Sequence, residues 1–119
     1  VMLDTMRQFK AGIFQALGHP TRVAIVELLS QEEMSVGQLC EQVGVEQANA
    51  SQHLTVLRNK YIVDNRKEGN QIFYRLRDPL LGEVLEKMRE YFFAHLEEAT
   101  EMLRVEKREA KKSKQETRR

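Results

Sequence analysis

Residues 35–60, SVGQLCEQVGVEQANASQHLTVLRNK, decide the reading of this chain, because they spell two short helices joined by a tight turn. Ser35 is placed to cap the first helix, and Gln38, three residues on, can return the bond to form a capping box. Val36, Leu39, Cys40 and Val43 follow at i, i+3, i+4 and i+7, so this helix buries one narrow face. Gly44 supplies the left-handed position that a short turn between helices needs. The second helix starts near Glu46 and carries Ala50, Leu54, Leu57 and Tyr61 as its inward stripe.

Stepping about 100° per residue, the opposite face of that second helix collects Ala48, Asn49, Ser51, Gln52, Thr55, Arg58 and Asn59. It holds no Asp or Glu. Short amides, hydroxyls and one guanidinium pair with base edges and phosphate oxygens, whereas carboxylates are repelled by phosphate. Gln47, Asn49, Ser51, Gln52 and Thr55 are therefore the expected base-reading residues, with Ala48 beside them.

Downstream, residues 62–68 and 71–76 read as two strands joined by Gly69-Asn70, a good two-residue hairpin turn. Ile72, Tyr74 and Leu76 are expected to face the core. Arg66, Lys67, Asn70 and Gln71 form a polar, partly basic tip, and Arg58, Arg66, Lys67 and Arg75 are the expected phosphate contacts. A helix pair followed by such a hairpin is the winged helix-turn-helix arrangement: mainly α with a small β-hairpin, one helix entering the major groove and the wing flanking it.

Upstream, Leu3, Met6, Phe9, Ile13, Phe14 and Leu17 mark an amphipathic helix that Gly18 is expected to end. Pro20 is preorganised for the first position of the next helix. Val23 to Leu29 make that helix apolar on nearly all sides, so it is the expected central one. After Asp78 and Pro79 a last helix carries an apolar stripe from Leu81 to Leu103, too long for one small domain to cover. The surplus stripe and the first helix are the expected homodimer face. Residues 1–105 are thus predicted to form the DNA-binding and dimerisation domain. Residues 106–119 read as a basic tail, frayed helix merging into disorder.

The 119 residues suit one domain, and 41% apolar content is ordinary for a soluble protein. No apolar run approaches the roughly 18 to 20 residues of a membrane span, and no signal pattern opens the chain. A cytoplasmic location is expected. The net charge of +1 conceals a segregation: residues 58–77 carry +4, residues 104–119 carry +5, and the rest sum to −8. A localised basic patch matters more for phosphate attraction than the total does. Catalysis is not expected, because the chain offers no nucleophile, base and orienting group at workable spacing and no phosphate-cradling glycine loop. No cofactor is expected either. The competing class is a winged helix used as a protein-interaction module, docking through the acidic last helix, and the acid-free face argues against it.

Four stretches together carry a family resemblance: Ala16-Leu17-Gly18-His19-Pro20-Thr21-Arg22, Ser35-Val36-Gly37-Gln38-Leu39, Ser51-Gln52-His53-Leu54 with Leu57-Arg58, and Gly69-Asn70-Gln71-Ile72-Phe73-Tyr74-Arg75-Leu76. In this order and spacing the chain resembles the ArsR/SmtB family of bacterial winged-helix repressors over roughly residues 9–103. The resemblance implies a homodimer that binds double-stranded operator DNA at an imperfect inverted repeat and represses transcription until an effector loosens it.

The effector residues depart from the family's better-known types. Cys40 matches the first thiolate of an arsenic-type Cys-x-Cys pair, but Gln42 stands at the second, and the sole cysteine is short of the persulfide type's two. Cys40 is the one redox candidate, with burial as a small core residue the competing reading. Of the zinc-type ligands, Asp78 matches, Leu80 replaces the first His, and Tyr91 stands where a later His would fall. His95 and Glu98 form a His-x-x-Glu pair one turn late and are the metal candidates. The effector itself is not identified by these residues. His19 reads as a helix N-terminal residue without a visible partner, and His53 as a flank residue with an interior hydrogen bond.

Overall fold

A computed structural model describes residues 1–117. Its elements are α1 (Met2–Ala16), α2 (Pro20–Leu29), β1 (Met34–Ser35), α3 (Val36–Val43), α4 (Gln47–Asn59), β2 (Val63–Glu68), β3 (Gln71–Leu76) and α5 (Leu80–Thr117). Two compact units are distinguished, the first ending at Glu83 and the second beginning at Val84 within α5.

In the first unit, α2, α3 and α4 pack around Ile25, Val26, Leu39, Leu54 and Leu57, all fully buried. Each such aliphatic side chain contributes about 1.5–3 kcal/mol through burial. Helix α2 opens on Pro20, with His19 as N-cap accepting from the Thr21 N–H at 3.1 Å. Helix α1 stops at Ala16, two residues before the expected terminator. Gly18 is therefore not its cap, but a Cβ there would lie 3.2 Å from the Gln15 carbonyl. At the other end of the unit, a Cβ on Gly82 would lie 2.8 Å from Ser30 Cβ, so the first turn of α5 seats against the end of α2 only as glycine.

The capping box of α3 forms as expected. Ser35 Oγ accepts from the Gln38 N–H at 3.1 Å, and Gln38 Oε1 accepts from the Ser35 N–H at 2.9 Å. Gly44 ends the helix at φ 77°. The inward stripe of α4 holds for Ala50, Leu54 and Leu57 but not for Tyr61, which is 71% exposed. The reason is local. Tyr61 adopts φ 58°, the left-handed conformation, after α4 has ended. Its N–H reaches the Arg58 carbonyl while the Ile62 N–H reaches back to Leu57, both at 3.0 Å. This is a Schellman closure in which buried Ile62 packs in Tyr61's stead, with tyrosine occupying the position glycine usually takes.

The wing is larger than a hairpin. Its sheet has the order β1-β3-β2, with Met34 opposite Tyr74 and Ser35 opposite Phe73. A two-residue strand has no periodicity to read, so only its partner defines it. Gly69 has φ 61° and begins the two-residue turn, and with the positive φ confined to that first central residue the turn is of the II′ kind. Expected core-facing Ile72 is instead 41% exposed, because the β2–β3 ladder runs past the core towards its turn; Tyr74 and Leu76, nearer the helices, are half-buried.

Helix α5 continues through Thr117, past the point where the apolar stripe predicts fraying, and spans 38 residues or about 57 Å. Residues 106–117 contain no glycine or proline and are rich in Lys and Glu, both good helix formers, so helicity outlasts amphipathicity. The final two residues of the expected disordered tail, Arg118 and Arg119, lie outside the described residues.

Gly44 has open space around its α-carbon, so Gly44→Ala isolates the backbone cost of the left-handed turn. The expected loss is about 1–2 kcal/mol, read as a lower urea midpoint with an unchanged m-value.

Candidate nucleic-acid interface

The buried line Ala50, Leu54 and Leu57 sets the rotation of α4 about its axis. Gln47, Ala48, Asn49, Ser51, Gln52, Thr55 and Arg58 are in consequence all exposed. Thr55 Oγ1 donates to the Ser51 carbonyl at 2.9 Å, leaving its lone pairs outward. Glu46 precedes the helix without a side-chain cap bond, and the first turn carries no acid. The leading N–H groups of α4 therefore keep their donor capacity and the positive end of the helix dipole.

A shallow cavity of about 200 Å³ joins this helix start to the wing. It is lined by Ser35, Val36 and Gly37 at the start of α3, Gln47 at the start of α4, and Asn70, Gln71 and Ile72 at the wing turn. Three expected site residues thus meet across the fold. Backbone donors and carboxamides here suit phosphate oxygens. Gly37 belongs to this surface without having been singled out as a contact, and only the folded chain brings it beside Gln47.

The expected phosphate-binding cations divide into two kinds. Arg66 pairs with both Glu33 and Glu68 and lies over the Phe73 ring, 4.7 Å from its centroid. Hydrogen bonds to Glu68 and then Glu33 raise its pKa above the ordinary arginine value. This guanidinium orients the wing, an arrangement not legible in the sequence because Glu33 comes from the loop before β1. Arg75 lies 4.0 Å from Asp64, which also meets Arg77 at 3.8 Å. Arg77 covers the Tyr61 ring at 5.3 Å. By contrast, neither Arg58 nor Lys67 has a carboxylate within ion-pair distance among the described residues.

Behind α4, one guanidinium ties three helices. Arg22 on α2 donates from Nε to the Ala16 carbonyl at the end of α1 and places Nη1 3.2 Å from His53 Nδ1 on α4. Arginine can only donate, so His53 accepts and is neutral, with its proton on Nε2. The His19 ring packs against His53 with centroids 4.3 Å apart and ring planes tilted by 42°. His53 is half-buried, as its expected interior hydrogen bond requires, and His19 gains the partner that 33 intervening residues hide in the sequence. Burial, then the neighbouring His19, then Arg22, all lower the His53 pKa below its ordinary 6.5.

The effector candidates are less assembled. Cys40 is half-buried rather than fully buried. His95 and Glu98 are exposed on α5, and among the described residues no three His, Cys, Asp or Glu side chains are grouped to hold a metal ion.

These elements define a winged helix-turn-helix, a DNA-binding fold, and residues 19–65 match the family described as bacterial regulatory protein, arsR family. The chain is 40% identical over 83 residues to the uncharacterised HTH-type transcriptional regulator Rv0081 of Mycobacterium tuberculosis, which covers 69% of this chain and 73% of that protein. Over 89 residues it is 37% identical to the biofilm growth-associated repressor of Xylella fastidiosa, covering 75% of this chain and 78% of the relative. The crystal structure of Rv0081 superposes with a TM-score of 0.73 at 36% identity, over 80% of this chain and 96% of that one. A homodimeric winged helix-turn-helix DNA-binding domain, Mb0332 of Mycobacterium bovis, gives 0.72 at 26% identity, over 79% and 87%. The chain belongs to the arsR family of bacterial transcriptional regulators, which are DNA-binding proteins and not enzymes. No helix among the described residues is long and apolar enough to cross a membrane.

The histidine cluster sets a pH dependence of stability. Because folding lowers the His53 pKa, the folded state binds fewer protons than the unfolded chain once pH drops below about 6.5. Stability is full above that value and is lost as pH falls through the folded value. Urea midpoints are expected to decline from pH 7 towards pH 5 in the native chain, and less steeply in His53→Asn, whose amide oxygen still accepts from Arg22 but does not titrate. Equal slopes in the two proteins would exclude His53 as the group responsible.

Proposed function

We propose that this regulator is a homodimeric repressor whose α4 enters the major groove at each half of an imperfect inverted-repeat operator, and that an effector releases it. The observation that carries the reading is the exposed, acid-free face of α4 running into the cavity that Gln47 shares with Asn70 and Gln71. Amides and hydroxyls at Gln47, Asn49, Ser51, Gln52 and Thr55 have the donor and acceptor pairs that base edges demand. Beside them, Ala48 is small enough to let the helix approach a base edge. Lys67 and Arg58, with no carboxylate in ion-pair distance among the described residues, hold phosphates directly. The Arg75 pair is long and exposed, and such pairs are worth about 0–1 kcal/mol, so phosphate displaces Asp64 at little cost. Arg66 contributes mainly by holding the wing.

Dimerisation is supported by apolar side chains that each unit leaves uncovered. Leu3, Met6, Phe9 and Phe14 are exposed on α1, and Val84, Met88, Phe92 and Leu96 on α5. Stripes of this kind mark protein interfaces. The relatives include a repressor by name and a homodimer by structure, in keeping with both parts of the reading. Cys40 and the His95–Glu98 pair are the residues on which an oxidant or a metal effector would act.

The test is fluorescence anisotropy against the promoter DNA adjoining the protein's own gene, with and without Zn(II), As(III) and an oxidant. Gln52→Ala is expected to weaken the specific site alone, by about 1–3 kcal/mol. Lys67→Ala should weaken all duplexes alike and flatten the salt slope by about one unit. Identical behaviour of the two variants would refute this division of roles, and failure of the native chain to bind any duplex at low salt would refute DNA binding in favour of a protein-docking module.

A further inference from the structure

Beyond Leu103 the surface of α5 changes character. At about 100° per residue, Arg104, Lys107, Arg108, Lys111, Lys112 and Lys114 all fall within about 160° of the helix circumference, while Glu106, Glu109 and Glu116 fall on the other side. Every one of these side chains is exposed. Arg104 pairs with Glu101 at 3.7 Å, but none of the five lysines and arginines from Lys107 to Lys114 has a carboxylate within ion-pair distance among the described residues. The wing arginines, in contrast, are all engaged.

Two ordinary explanations of a basic helix end fall short. Favourable interaction with the helix dipole is confined to the last turn, which accounts for Lys114 and not for Arg104 to Lys111, up to three turns upstream. Solubilising pairs of opposite charge at i,i+4 would interleave the signs along one face, whereas here the signs are separated by face.

We propose that this basic face is a second, sequence-independent contact for duplex DNA. It rests on the DNA-binding reading above. The occupant follows from charge: Arg104 to Lys114 present a one-sided row of cations about 15 Å long, and duplex DNA presents one phosphate charge per roughly 1.7 Å of its axis. Free lysine and arginine heads displace condensed counterions without first breaking an internal pair. The contact adds affinity and salt dependence to any sequence and leaves discrimination to α4 and the wing.

The experiment compares the native chain with Lys107→Gln/Arg108→Gln/Lys111→Gln/Lys112→Gln, using a random-sequence duplex of about 40 base pairs at salt between about 50 and 200 mM. Glutamine keeps the helix propensity of the residues it replaces, and circular dichroism checks that helix content is retained. The quadruple variant is expected to lose about 2 to 4 units of the slope of log K against log salt and at least about tenfold in affinity at the lower salt, with its dimer intact by sedimentation. A Lys107→Arg/Lys111→Arg/Lys112→Arg protein should keep the native slope.

An unchanged slope in the glutamine variant, with native binding present, overturns the proposal and leaves the α4 interface standing. Dissociation of the dimer in that variant also overturns it, since the basic face would then pair with the acidic part of α5 in a second copy. No binding by the native chain removes the DNA-binding reading itself and this inference with it.

Discussion

Ser35 is the residue on which the joint between the wing and the helix-turn-helix depends. Its backbone pairs with Phe73 across β1 and β3, and its side chain caps α3 through the Gln38 box. It is a buried polar residue, 7% exposed, and both its hydroxyl oxygen and its backbone N–H are hydrogen-bonded to Gln38. One residue therefore belongs to the wing and to the helix-turn-helix at once. That shared position places the wing turn beside the starts of α3 and α4, and the cavity lined by Gly37, Gln47, Asn70 and Gln71 follows from it.

The helix-turn-helix is also held from behind. Arg22 joins the end of α1 to His53 on α4, with the His19 ring packed at a tilt against the same imidazole. A guanidinium cannot accept, so the bond exists only while His53 is neutral. Helix α4 is in this way seated against α2 by a polar contact as well as by Leu54 and Leu57. The apolar contacts supply most of the stabilisation and the polar contact supplies orientation.

Charge is distributed by task. The wing arginines are matched by carboxylates: Arg66 by Glu33 and Glu68, Arg75 and Arg77 by Asp64. These exposed pairs are individually weak, yet they fix where the wing points. Among the described residues, Lys67 and the far end of α5 carry unmatched charge, and unmatched charge is what attracts a polyanion. The small net charge of the whole chain is the outcome of this partition and says little about what any one surface binds.

Helices read well from the sequence alone because their signals are local. The Ser35–Gln38 box, Pro20 at the start of α2, Gly44 in its left-handed turn and the Gly69-Asn70 hairpin all depend on residues at most three apart, and each formed. The acid-free face of α4 was equally legible, since helical periodicity alone separates it from Leu54 and Leu57. What failed lay where periodicity meets a boundary. Tyr61 continued the stripe on paper but left the helix through a positive φ, and Ile72 kept strand alternation beyond the reach of the core. The full length of α5 is not legible in the apolar pattern, because that pattern reports burial, whereas helicity past Val105 rests on propensity. Strand β1, the Arg66–Glu33 pair and the Arg22–His53 bond join residues 31 to 40 apart in the chain. Only tertiary structure decided them, because nothing in a polar or two-residue segment encodes its partner until packing of the apolar helices has brought the two together.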